Sequence, residues 1–96
     1  MQAKEKKSRK KREKWFLYIL KCNDLSLYTG IAKNVQKRFA IHSKGKGARY
    51  TKTRLPIELV YQERCKTRTE ALVRECVVKA LPKRKKLELI EQFNGK

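Results

Sequence analysis

Five side chains of this sequence together predict acid–base chemistry beside an anion. Tyr18 and Tyr28 are phenols in strand-like runs, Arg38 and His42 are four residues apart, and Glu75 stands in a mostly apolar helical pattern. An arginine fork matches phosphate oxygens, and an imidazole exchanges protons near neutral pH. A carboxylate among apolar side chains is costly unless it is paired or binds a metal. The set predicts a site where a proton moves next to a phosphate, with Glu75 as a candidate metal ligand.

Each of these residues also has a plain structural explanation. Aromatic residues are common in strands, so the two tyrosines could be ordinary strand residues. The arginine and the histidine could form one solvated basic face of a helix. Glu75 precedes Lys79 by four residues, an order that favours a helical ion pair worth about 0.2–0.5 kcal/mol. The residues alone leave both interpretations open.

A hairpin followed by a helix is expected to bring these side chains together. The apolar run 15–21 is typical of a central strand, the polar segment 23–26 favours a turn, and 27–30 begins the second arm. Paired residues on such arms approach within about 5 Å, or about 7–8 Å on the diagonal, so the two tyrosines can share one face. Asn34 is expected to cap a helix over 35–43, which places the arginine and the histidine on one helical face.

A basic loop is predicted after that helix. The segment 44–54 contains Lys and Arg but no acid, and its glycines would let the backbone approach phosphate groups. Tyr50 is expected to stack on a splayed base. The alternative is an ordinary solvated surface loop. The residues predicted to bind nucleic acid are Lys33, Lys44, Lys46, Arg49, Tyr50, Lys52 and Arg54.

The second half of the chain predicts one more strand and two helices. Alternation over 57–62 favours a half-exposed strand, and Thr67 or Thr69 is expected to cap a helix over about 70–81. Pro82 fits the first turn of a last helix. The predicted order is ββαβαα, an α+β domain with a small three-stranded antiparallel sheet flanked by helices. The inward positions predicted for the last helix are Leu87, Ile90 and Phe93.

The charge balance predicts a polyanionic partner. The chain carries 27 Lys and Arg against 9 Asp and Glu, a net charge of +18, and nucleic acid is the expected polyanion. A membrane is not expected, because apolar runs of about six residues fall far short of the roughly 20 that span a bilayer. Three cysteines without metal spacing are typical of free thiols in a reducing cytosol, so a cytoplasmic location is expected. Residues 1–14 are interpreted as a basic, disordered arm, and 15–93 as one domain.

The order of these residues resembles the GIY-YIG endonuclease family from Trp15 to about Ile90. The segments 42–50 and 79–90 look most like its small stand-alone, single-domain YhbQ-type branch. The residues that carry the resemblance are the half-motifs Leu17-Tyr18-Ile19 and Tyr28-Thr29-Gly30, followed by Arg38, His42 and Glu75.

Three positions depart from the family pattern. Leu17 and Thr29 replace the usual neighbours of the two tyrosines, and Ile31 stands where some relatives carry a lysine thought to help ionise a tyrosine. A tyrosine has an ordinary pKa near 10, so it needs help to act as a base at neutral pH. His42 is a candidate to relay that proton.

The resemblance implies hydrolysis of phosphodiester bonds with one Mg²⁺ or Mn²⁺ ion. Glu75 would hold the ion, Tyr18 would activate water, Tyr28 would position it, and Arg38 would neutralise charge on the phosphoryl oxygens. The expected substrate is DNA, cut with little sequence specificity in repair or processing, and no obligate protein partner is expected. The alternative is a non-catalytic nucleic-acid-binding module that keeps the nuclease fold.

Overall fold

The chain forms a three-stranded sheet with helices on both faces. The computed structural model describes residues 14–95, so the basic arm predicted over 1–14 lies, apart from Lys14, outside the described residues. The elements in chain order are β1 (Trp15–Lys21), β2 (Leu27–Ala32), α1 (Val35–Ser43), α2 (Arg49–Lys52), β3 (Glu58–Cys65), α3 (Arg68–Ala80) and α4 (Lys83–Asn94).

The sheet is antiparallel, with β1 in the centre and β2 at one edge. The strand order is β2-β1-β3, and β1 pairs with both neighbours. Central position explains why β1 is apolar in consecutive residues, since both of its faces are covered. The prediction of an α+β domain with a three-stranded antiparallel sheet is therefore confirmed.

Each face of the sheet carries its own core cluster. Leu17 and Ile19 pack with Tyr61 and with Val78 of α3, and α4 adds Leu89 and Ile90 at their margin. On the other face, Tyr18 and Leu20 pack with Val35 of α1, and Phe39 joins from the same helix. Strand side chains alternate between faces, so Tyr18 points toward α1 while its neighbours point toward α3.

The prediction of a loop over 44–54 is wrong in part. One helical turn, α2, forms at its centre, because the Thr51 hydroxyl bonds back to the carbonyl of Ala48 at 3.1 Å and Thr51 is fully buried. This turn has only four residues and is basic, so no helical period in the sequence predicts it.

Two other predictions on the second half need correction. Strand β3 starts and ends later than predicted, because β1 extends back to Trp15 and pairs there with Cys65. In α4, Ile90 packs on the core, but Leu87 is 45% exposed and Phe93 is 43% exposed, although the Phe93 ring meets Tyr61 edge to face at 5.5 Å. Leu89 takes the inward place predicted for Leu87.

Candidate active site

The Tyr18 side chain lies across the sheet toward the edge strand, and a glycine makes room for it. Tyr18 is paired with Gly30 of β2. A Cβ atom at position 30 would lie 2.6 Å from the Tyr18 hydroxyl oxygen and 2.8 Å from Cζ. Any side chain at position 30 would therefore displace the phenol. The glycine of the second half-motif is thus explained by close approach of a ring, not by an unusual backbone conformation.

His42 holds the Tyr18 hydroxyl from the last turn of α1. Its Nε2 atom is 3.1 Å from the Tyr18 hydroxyl oxygen, and its Nδ1 atom is 2.9 Å from Thr51 Oγ1. The Thr51 hydroxyl donates to the carbonyl of Ala48, so it is available only as an acceptor from His42. This network assigns the proton to Nδ1 and leaves Nε2 to accept from Tyr18. The amide of Ala48 lies 3.4 Å from Nδ1, a longer contact that the opposite tautomer would use.

Gly47 is the second glycine on which this arrangement depends. A Cβ atom at position 47 would lie 2.2 Å from His42 Nδ1 and 2.7 Å from its Cε1. The loop glycine was expected to let the backbone approach phosphate, but its contact in the structure is with the buried imidazole. Thr51 and Gly47 were both missed as site residues by sequence reasoning, which had no signal for them beyond a small residue and a hydroxyl within a basic segment.

The protonation states follow from burial. Burial raises the pKa of Tyr18 to about 12, the charge of Tyr28 adds to the rise, Arg38 opposes it by polar contact and charge, and Glu75 raises it further. Burial also lowers the pKa of His42, and the positive charge of Arg38 lowers it again. At neutral pH the pair is therefore a protonated phenol donating to a neutral imidazole.

Tyr28 and Arg38 both lie beside this pair. The Tyr28 ring centroid is 6.5 Å from that of Tyr18 and 5.3 Å from that of His42. Arg38 is exposed on α1, one turn before the histidine, and its charge acts on both Tyr18 and His42. The two tyrosines thus share one face of the hairpin, and the solvent-exposed arginine lies at the margin of that face.

Glu75 lies on α3 between two buried residues, Ala71 and Val78. Its side chain is 20% exposed, and its Oε2 atom is 3.3 Å from Nζ of Lys79. The helical ion pair considered from the sequence therefore forms. The charge of the Glu75 carboxylate also acts on Tyr18. Glu75 therefore has an ion-pair partner in Lys79 and an electrostatic influence on the candidate site.

Two depressions lie along the edge strand, one on each side of Gly30 in sequence. The first, of about 380 Å³, has Ile31 and Arg38 in its wall. The second, of about 250 Å³, has Tyr28 and Lys79 in its wall. Tyr18 and His42 line neither of these two depressions, because both side chains are buried. The Tyr18 hydroxyl lies next to Gly30, whose strand neighbours line the two depressions.

The predicted nucleic-acid-binding residues differ in exposure and in contacts. Lys44, Lys46, Arg49 and Lys52 are exposed, as is Lys33, which lies over the Trp15 ring. Tyr50 is 37% exposed and Arg54 is half-buried. Arg54 bonds Asp24 at 3.0 Å and the carbonyl of Tyr50 at 2.9 Å, and its guanidinium covers the Tyr50 ring at 3.9 Å.

Tyr50 also stacks against a residue of the candidate site. Its ring centroid lies 6.0 Å from that of Tyr28, with 24° between the ring planes. Together with the guanidinium of Arg54, this contact occupies the ring that was expected to receive a base. The geometry makes Tyr50 a support for Tyr28.

The residues present suit a divalent ion held by one carboxylate. Mg²⁺ commonly takes one or two protein carboxylates and completes its shell with water and phosphate oxygens. Glu75 supplies one partly buried carboxylate whose charge acts on Tyr18. Within residues 14–95, no group of three or more His, Cys, Asp and Glu side chains is placed to hold a metal ion.

The fold and this set of residues define a class of protein. The sequence matches the GIY-YIG catalytic domain over residues 14–88, and the chain belongs to that nuclease family. GIY-YIG nucleases generally depend on a divalent metal. None of the helices within the described part of the chain is long and apolar enough to cross a membrane.

Within that family the chain is similar to the UPF0213 proteins. It is 54% identical over 80 residues to one from Staphylococcus epidermidis, covering 83% of this chain and 98% of that protein. It is 51% identical over 80 residues to one from Staphylococcus saprophyticus, with the same coverage of 83% and 98%. The solution NMR structure of a UPF0213 protein from Bacillus halodurans shares 40% identity and a TM-score of 0.54, covering 82% of this chain and 84% of that one. The resemblance to a small, stand-alone branch of the family is confirmed.

Proposed function

We propose that this protein is a divalent-metal-dependent endonuclease that hydrolyses phosphodiester bonds of DNA with little sequence specificity, in the cytoplasm, in repair or processing. The observation that supports this proposal is that three titratable or charged side chains act on the hydroxyl of Tyr18. Tyr18 donates to His42, and the charges of Arg38 and Glu75 both act on Tyr18. A buried tyrosine kept only for packing has no need of three titratable or charged neighbours.

The proton path runs from water to Tyr18 and from Tyr18 to His42. A water molecule attacks phosphorus and gives its proton to the phenol oxygen as the phenol passes its own proton to Nε2 of His42. The concerted exchange avoids a free tyrosinate, which a pKa of about 12 makes rare at neutral pH. The imidazolium that forms keeps its Nδ1–H bond to Thr51. This relay takes the role of the lysine that Ile31 replaces.

The remaining residues act on charge and position. Arg38 neutralises charge that grows on the phosphoryl oxygens, and Tyr28 positions the water or the phosphate beside the Tyr18 ring. Glu75 would hold a single Mg²⁺ or Mn²⁺ ion, which when bound supplies charge neutralisation to the phosphate and the leaving oxygen. The P–O3′ bond breaks, the leaving 3′ oxygen takes a proton from solvent, and His42 later returns its proton to solvent. The products carry 3′-hydroxyl and 5′-phosphate ends.

A non-catalytic nucleic-acid-binding module is the second candidate function. One observation favours it: Glu75 is paired with Lys79 at 3.3 Å, so its charge already has a partner. A binding module needs only the exposed cations of the surface.

Plasmid nicking distinguishes the two candidates. Wild type incubated with Mg²⁺ or Mn²⁺ should convert supercoiled plasmid to the nicked form, and Glu75→Ala should not. Glu88→Ala is the matched control, because Glu88 also pairs with a cation four residues away, Arg84, but on an exposed part of α4. Binding without nicking by wild type at either metal would leave the binding module as the function.

A further inference from the structure

The larger depression beside the site is lined by both apolar and basic side chains. The apolar ones are Trp15, Ile31 and Ile41, and the basic ones, here called the basic rim, are Lys33, Lys37 and Arg38, around a volume of about 380 Å³. A small-molecule site typically occupies about 300–1,000 Å³. The ligand that suits this surface has a flat apolar face and a negative charge attached to it. A nucleotide has both.

We propose that this depression binds one unpaired nucleobase of the substrate, with its face against Trp15 and its phosphate on the basic rim. The proposal rests on the nuclease function and names the form of nucleic acid that the site takes. Bases in a duplex are stacked on their neighbours, so only an unstacked base can lay a face on an indole. The substrate is therefore single-stranded or locally unpaired at the site.

The state of Trp15 supports this role. The ring is only partly buried, and two cations lie over it, Lys33 Nζ at 5.6 Å and Arg68 Cζ at 5.7 Å from the centroid. Both distances exceed the 3.9 Å at which Arg54 covers Tyr50. An entering base therefore meets a partly exposed aromatic ring, and the rim cations Lys37 and Arg38 can contact its phosphate.

Arg38 connects this depression to the reacting groups. It lines the rim, and its charge acts on the Tyr18 hydroxyl. A base in the depression would therefore place its own phosphate, or the next one along the strand, beside Arg38. Sequence reasoning assigned base stacking to Tyr50, which Arg54 and Tyr28 already contact.

The test uses Trp15 as its own reporter, because it is the only tryptophan in the chain. Full-length protein is titrated without divalent metal, with EDTA present, against a single-stranded oligothymidine and against an abasic strand of equal length and charge. The base-bearing strand should quench or shift Trp15 fluorescence and bind about 5- to 100-fold more tightly than the abasic strand, as one stacked base would give. A blunt duplex should leave the fluorescence nearly unchanged.

Variants separate stacking from charge, with binding followed by anisotropy of a labelled strand. Trp15→Leu should remove most of the preference for the base-bearing strand, and Trp15→Phe, which keeps an aromatic ring in β1, should remove part of it. Lys37→Gln should weaken both strands by a similar factor. Lys85→Gln is the control, since Lys85 is exposed and lies 3.8 Å from Glu88 on α4.

Equal affinity for the two strands, or an unchanged preference in both Trp15 variants, overturns the proposal. Its failure is distinguishable from failure of the nuclease function, because binding is measured without metal and without cleavage. A preference for the base-bearing strand without any nicking would sink the nuclease and retain the nucleobase site. Nicking without a preference for the base-bearing strand would retain the nuclease function and reject the nucleobase site.

Discussion

The hydroxyl of Tyr18 lies 3.1 Å from Nε2 of His42, although the two residues are 24 positions apart and belong to different elements. Both side chains are buried, at 2% and 0% exposure. The buried phenol can donate to the buried imidazole only if the imidazole is neutral, because a charged ring donates from both nitrogens. This one contact determines the pH behaviour and the sensitivity to substitution of the whole candidate site.

Tyr18→Phe should abolish metal-dependent nicking, by about 10²-fold or more, because it removes the group that accepts the proton from water. The melting temperature should fall modestly, since His42 loses one partner. Tyr61→Phe is the matched control. Tyr61 is also buried and its pKa is also raised to about 12, chiefly by burial, but its hydroxyl bonds Glu63 on the other face of the sheet. Equal loss of nicking in both variants would contradict the assignment of Tyr18.

The single histidine should titrate with a midpoint below its ordinary value of about 6.5, since burial lowers the pKa of His42 in the folded state. The unfolded chain then binds a proton more readily than the native one. The stability that His42 contributes is therefore full above about pH 6.5 and is lost as the pH falls through the folded pKa. Imidazole NMR signals and melting temperatures between pH 5 and 7.5 measure both effects. In His42→Gln the melting temperature should change less with pH over that range. A His42 titration midpoint at or above pH 6.5 in wild type would refute the expectation.

Thr51→Val should destabilise the protein by about 1–3 kcal/mol, because it leaves the Nδ1–H of His42 without an acceptor in a buried position. The imidazole should then change tautomer or turn, so nicking should fall as well. Denaturant unfolding and ¹⁵N spectra of the single imidazole measure the two consequences. Thr53→Val is the control, as Thr53 is exposed and carries only a 3.3 Å contact with Arg54. Unchanged stability and tautomer in Thr51→Val would show that the hydroxyl does not orient the ring.

Gly47→Ala should be more damaging than its size suggests. The new methyl group would lie 2.2 Å from His42 Nδ1, so the ring or the segment before α2 must move. Overpacking of this kind costs roughly 1–3 kcal/mol. Gly95→Ala should cost less, since its closest neighbour would be the Glu91 carbonyl at 3.2 Å, which requires a shift of only a few tenths of an ångström at the end of α4. Thermal unfolding compares the two, and equal melting temperatures would argue against the close packing of Gly47 on His42.

Glu75→Gln should remove nicking and leave the melting temperature almost unchanged. The ion pair with Lys79 involves a lysine that is 57% exposed, so its loss is expected to cost at most about 1 kcal/mol. A neutral amide is a poor ligand for Mg²⁺, so calorimetric titration with Mn²⁺ should lose its heat in this variant. Glu88→Gln should keep both the heat and the nicking. Retained nicking in Glu75→Gln would remove Glu75 from the proposed metal site.

Lys44→Gln and Lys46→Gln should each lower the salt dependence of duplex DNA binding by about 0.9 per log unit of salt, as the loss of one phosphate contact does. Both lysines are exposed on the turn after α1. Arg54→Gln should change the slope much less, because its guanidinium is already bound to Asp24 at 3.0 Å. Affinities measured from low to moderate salt provide the slopes. A loss in Arg54→Gln as large as in the lysine variants would show that its ion pair opens on binding.

Local patterns were sufficient for the elements and for much of the candidate site. The apolar run of β1 predicted a central strand, because only a strand covered on both faces buries consecutive apolar residues. Asn34 and Thr67 predicted the starts of α1 and α3, and in each case the side chain accepts from the backbone N–H three residues on. The spacing of Tyr18 and Tyr28 across a hairpin was enough to expect them on one face, since register in a hairpin is local.

Only the tertiary structure decided what surrounds those residues. The contact of His42 with Tyr18 depends on how α1 packs across the sheet, and the roles of Gly47 and Thr51 depend on where the His42 ring then lies. Likewise, the sequence predicted Trp15 at the start of a covered strand and Tyr50 in a loop open to a base, but in the structure Trp15 lines a depression and Tyr50 lies under Arg54. Helical and strand periods are properties of neighbouring residues. Contacts between elements depend on distances that no local period specifies.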